Sequence, residues 1–117
     1  NDGESENNII WGGMIMLRVD FTFDKKIIEK NGYTMSNIYE TIKMEFGKKN
    51  ISCVAEGEVL SFGAGEKKND FSDMCTIIMR LTRSKWFLNY ATSCTWNENN
   101  KSEDVLAQIK RKQMISA

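Results

Sequence analysis

Few residues in this 117-residue chain are equipped for chemistry, and each set has a plain structural use as well. Gly63-Ala64-Gly65 with Lys67-Lys68 has the composition of a phosphate-binding loop. In such a loop, backbone N–H groups and an ammonium meet the anion where a strand turns into a helix N-terminus. The segment that follows reads as another strand, so a hairpin loop is the expectation. Asp70 and Asp73, with Glu56 and Glu58 on the neighbouring strand, form a carboxylate set of the kind that holds Mg²⁺ or divides acid and base roles. Spacing alone places no pocket around them, and solvated turn carboxylates are expected. Lys110-Arg111-Lys112 is a short basic run that suits phosphate, and equally suits the negative end of a helix dipole.

Histidine is absent, which removes the commonest general base and the commonest metal ligand. No serine sits in a G-x-S-x-G elbow. Cys53, Cys75 and Cys94 are odd in number and widely spaced, without a C-x-x-C pair. All three fall in strand-like apolar stretches, where a free thiol behaves as a small buried hydrophobe. Buried free thiols in a reducing compartment are the expectation. These observations predict no catalytic group, no metal site and no cofactor.

Composition bounds the rest. Sixteen Lys and Arg balance sixteen Asp and Glu, so no bulk field draws the chain to nucleic acid or to an anionic membrane. Apolar residues make up 41% and charged residues 27%, an ordinary globular mixture. No stretch approaches the roughly 20 apolar residues a spanning helix needs. A cytoplasmic location is predicted. Residues 1–13 read as a polar N-terminal arm or a remnant of processing, and residues 14–117 as one domain.

The elements that must position these residues follow from periodicity. Met14–Phe23 alternates, with Ile15, Leu17, Val19, Phe21 and Phe23 on one face and Met14, Met16, Arg18, Asp20 and Thr22 on the other. Period two over ten residues predicts a strand with the odd positions inward. Asp24–Gly32 reads as one helical turn or a loop ended by Asn-Gly. Met35, Ile38, Tyr39, Ile42 and Phe46 recur in steps of three and four, which predicts an amphipathic helix over 33–47. Thr34 or Ser36 would cap its start and Gly47 its end.

Three strands are then expected, over 51–62 with a bulge near Gly57, over 71–81 and over 86–96. A turn at Thr82–Lys85 would set Leu81 opposite Trp86, Met79 opposite Leu88 and Ile77 opposite Tyr90. Ser102 would cap a last helix carrying Val105, Leu106 and Ile109. The order β-α-β-β-β-α predicts a two-layer α+β domain: an antiparallel sheet of about four strands with two helices on one face.

In that register Met74, Ile78, Phe87 and Ala91 lie on the second sheet face, which becomes more apolar than solvent exposure favours. The function expected from this is a small non-enzymatic binding or regulatory module. It would act through protein contacts on that face, either with itself or with a target in the manner of an inhibitor or immunity protein. The alternative is a nucleic-acid accessory protein using its Lys/Arg clusters, Lys110-Arg111-Lys112 among them, with aromatic stacking. A metal-dependent enzyme built on Asp and Glu ranks last.

Overall fold

A computed structural model describes residues 17–64 and 68–116. The N-terminal arm 1–13, the start of the first strand at 14–16, and Gly65 and Lys67 of the glycine loop lie outside the described residues. The chain runs β1 (Leu17–Phe23), α1 (Lys25–Lys30), α2 (Met35–Gly47), β2 (Ser52–Glu56), β3 (Leu60–Ala64), α3 (Asp70–Thr82), α4 (Lys85–Tyr90), β4 (Ala91–Glu98), β5 (Lys101–Asp104) and α5 (Val105–Ser116). The fold is α+β. Its strands form one antiparallel sheet in the order β2-β3-β1-β4-β5. None of the described helices is long and apolar enough to cross a membrane.

β1, the strand with the cleanest alternation, occupies the centre and pairs on both sides. Its odd residues Leu17, Val19 and Phe21 are buried as expected. The register extends them sideways into two rows, Phe62–Val19–Trp96 and Leu60–Phe21–Cys94. Aromatic contacts tie the helices to these rows. Phe46 of α2 stacks on Phe62 with centroids 4.0 Å apart. Phe87 of α4 meets Phe21 edge-on at 5.8 Å, and Phe71 of α3 meets Trp96 at 5.6 Å. Phe21, Phe46, Phe62 and Phe87 are fully buried, and each contributes about 1.5–3 kcal/mol through area removed from water, whereas Phe71 stays half-exposed.

The even residues of β1 face a polar layer centred on Asp20. Its Oδ1 accepts from Arg18 Nε (3.0 Å) and Ser61 Oγ (2.6 Å), and its Oδ2 from Arg18 Nη2 (3.2 Å) and Asn97 Nδ2 (3.0 Å). One carboxylate therefore pins the central strand to β3 and β4. Asp20→Ala is expected to cost roughly 2–3 kcal/mol by urea unfolding, because buried Ser61 and the Asn97 amide lose a charged acceptor. A loss below about 0.5 kcal/mol, the range of ordinary surface changes, would show the network to be idle.

Local chemistry explains most boundaries. Thr34 caps α2 through a reciprocal box: Asn37 N donates to Thr34 Oγ1 (3.0 Å) and Thr34 N donates to Asn37 Oδ1 (2.9 Å). Ile38, Tyr39, Ile42 and Phe46 are its buried stripe. Asp24 caps α1 by accepting from Ile27 N, and Gly32 (φ +88°) reverses the chain after it. The left-handed residue after α2 is Asn50 (φ 59°), whereas Gly47 remains the last helical residue.

Several expectations are corrected. The stretch 51–62 is a hairpin turning at Gly57–Val59, and the register shift lies between Cys53 and Ala55. Residues 71–81 form helix α3, because Met74, Ile77, Ile78 and Leu81 recur in steps of three and four and bury together. Met79, inward in the strand reading, is half-exposed. Residues 85–90 form α4, and the chain passes without a loop into β4 at Ala91, whose ψ is 136°. The 82–85 turn therefore joins two helices, and the Leu81–Trp86 register does not form. Ser102 lies in β5, reached through a two-residue turn with Asn99 left-handed (φ 56°). Asp104 bonds the first turn of α5 by accepting from Ala107 N at 3.1 Å.

Candidate binding groove between the second and fourth helices

Met74, Ile78, Phe87 and Ala91 do not form an outer sheet face. Met74 and Ile78 point inward from α3 and Phe87 from α4, while Ala91 opens β4; all four are buried in the core. The helical phase of Met74, Ile78 and Phe87 turns them toward the core, which removes the apolar second face inferred from strand alternation.

The other sets separate in space. The glycine loop does lead from a strand, β3, into a helix, α3, contrary to the hairpin expectation. The first turn of that helix carries Asp70 and Asp73, whose charges oppose an incoming phosphate. Of the carboxylate set, Glu56 ends β2 and is bound to Lys43 Nζ at 2.9 Å, and Glu58 lies in the hairpin turn. Among the described residues no group of three or more His, Cys, Asp or Glu is placed to share a metal ion. Lys110, Arg111 and Lys112 are exposed along α5.

The cysteines are free but unequal. Cys94 is buried, Cys75 half-buried and Cys53 exposed on β2, so burial of all three is corrected. Burial pushes the Cys94 thiol up to about 12, with Asp104 and Asp20 adding to the effect. Burial and then Glu98 also raise Cys75.

What the structure does assemble is a groove of about 710 Å³ between α2 and α4, reached at one end by the segment after α1. Trp86 and Tyr90 stand four residues apart on α4 and so share a face. Tyr33 crosses to them, its ring 6.3 Å from Tyr90 at 60°. α2 supplies Ile38, Glu40 and Met44 from the opposite wall. Tyr90 is only 8% exposed and forms the floor, whereas Tyr33 and Met44 stand at the rim, 52% and 64% exposed. Asn37 and Thr41 hold the rim backbone in place: Asn37 closes the capping box, and Thr41 Oγ1 donates to Asn37 O at 2.9 Å.

The electrostatics of the groove are set by Glu40. Its carboxylate pairs with Lys43 Nζ at 3.2 Å, but that ammonium also serves Glu56 at 2.9 Å. One cation between two carboxylates leaves the cluster net negative. The side chains that bind the groove are separated by more than fifty residues in sequence, from Tyr33 to Trp86 and Tyr90. The sequence carries only the amphipathic phase of α2, which marks the buried stripe and not this rim. Comparison with protein-family models, with curated proteins and with solved structures finds no match.

Proposed function

We propose that this chain is a small non-enzymatic binding module whose protein partner docks in the groove between α2 and α4. The carrying observation is the pairing of a buried aromatic floor, Tyr90, with two large apolar side chains held in water at its rim, Tyr33 and Met44. Clustered aromatic and methionine side chains around a cleft are what protein interfaces concentrate. The absence of histidine and the scatter of the carboxylates support a non-catalytic role. Three free thiols support a reducing, cytoplasmic setting. Glu40, the charged residue lining the groove, favours a protein over nucleic acid, because a phosphate backbone would meet a carboxylate there.

The test is position-specific crosslinking in the native host. A photoreactive residue in place of Met44 or Tyr33 is expected to trap a discrete protein adduct. The same group in place of exposed Lys110 on α5 is not. Identical adducts from all three positions, or none from the groove, would overturn the docking site.

A further inference from the structure

We propose that the groove recognises an organic cation, specifically a methylated lysine side chain presented by the protein partner. The inference rests on the docking reading above and names the chemistry of the contact.

Three aromatic side chains converge there. Tyr33 stands at 60° to Tyr90, so these two rings form an angled pair and not a flat stack, and Trp86 lines the groove one helical turn before Tyr90 on α4. The faces of aromatic rings carry negative potential and attract a cation within about 6 Å, the more strongly the drier the contact. Glu40 adds a formal negative charge on the opposite wall, and its partial neutralisation by the shared Lys43 leaves that charge net.

The walls also select among cations. Aromatic faces replace water poorly around a bare ammonium, whose three N–H groups need acceptors. Methyl groups on nitrogen spread the charge and weaken hydration, which lowers the cost of entering between rings. An arginine side chain would bring five donors to a groove whose one carboxylate, Glu40, already accepts from Lys43.

The probe is acetyl-trimethyllysine amide, titrated into the full chain and followed by backbone and indole NMR shifts. Three comparison compounds accompany it: the lysine parent, the arginine analogue and the neutral isostere in which carbon replaces the charged nitrogen. Saturable shifts centred on Tyr33, Trp86 and Tyr90 are expected, with the neutral isostere at least about tenfold weaker. Tyr33→Ala and Glu40→Gln, both on exposed side chains, are each expected to weaken the probe several-fold while leaving the dispersion of the remaining spectrum unchanged. Equal binding of the isostere, tighter binding of the arginine analogue, or no saturable shift would overturn the cation assignment. If crosslinks still form from Tyr33 and Met44 in that case, docking in the groove stands and only its chemistry falls. If those crosslinks are lost too, both readings fall together.

Discussion

Ile78→Lys and Phe87→Lys will each leave the chain unfolded, whereas Met79→Lys will leave it folded within about 0.5 kcal/mol of the parent. The reason is the phase of α3 and α4. Ile77 and Ile78 are adjacent in sequence, yet both are buried, while Met79 is 51% exposed. A strand covered on one face cannot do this, because its consecutive residues point to opposite faces. A helix places 74, 77, 78 and 81 on one stripe, and that stripe is buried on α3. A lysine at 78 would bring an unpaired ammonium into the core, and one at 87 would also remove the ring that meets Phe21, Phe23 and Trp86. Removing a buried phenylalanine side chain alone costs about 3–5 kcal/mol, and burying a bare charge adds several more. A domain stable by about 5–15 kcal/mol does not carry both. Circular dichroism and one-dimensional NMR of the variants would decide it. A folded Ile78→Lys beside an unfolded Met79→Lys would return the segment to a strand with alternating faces.

The second large effect is alkaline. Cys94 lies in the central row beside Phe21, and burial holds its thiol up to about 12 against an ordinary value of 9.0. The folded state therefore keeps a proton that the unfolded chain gives up. Stability from this group is complete below pH 9 and is lost as pH rises through the folded value. Over that window the unfolded state binds fewer protons, and stability falls by about 1.4 kcal/mol per pH unit, up to roughly 4 kcal/mol in all. Tyr39, whose phenol donates to Gly57 O at 2.6 Å, is raised by burial and by Glu56, and acts in the same direction. Cys94→Ala isolates the thiol. The variant is expected to be weaker at pH 7 by the lost sulfur packing, but its stability should fall less steeply between pH 9 and 11. Identical slopes would show that Cys94 titrates as an open thiol. Thiol labelling gives a parallel check, with Cys53 reacting at once, Cys75 more slowly and Cys94 only on unfolding.

Several elements were legible because their signals lie between near neighbours in the chain. The alternation of Leu17 to Phe23 announced β1 and its inward face, and the register confirms both. The α2 stripe and its Thr34 cap were readable for the same reason. Helix α3 also announced itself, through Asp70 and Asp73 in the first turn, Arg80 in the last, and the 74-77-78-81 spacing. Those signals were outweighed by Ile77-Ile78 and by the flanking aromatics, which favour strands when taken one residue at a time. Trp86–Tyr90 misled similarly, because aromatic side chains fill a helix face as readily as a sheet face once a core needs them.

The groove had no sequence signature at all. Tyr33 lies in a short connector and Trp86 and Tyr90 in a helix hidden inside a strand-like stretch, and nothing local links them. What the sequence determined by itself is the α+β class with an antiparallel sheet, the amphipathic first strand and the capped helix, whereas the strand order and the pairing partners came from the tertiary structure. The class, the strand and the helix depend on periodicity and on hydrogen bonds spanning four residues or fewer. The tertiary structure alone decided which apolar residues became core and which stayed at a rim. It decided too that one carboxylate, Asp20, would join three strands, and that three distant aromatic rings would face one another. Such choices depend on contacts between segments whose phase and separation are set only when helices pack on the sheet. That packing is a competition for buried area across the whole chain, which no local window contains.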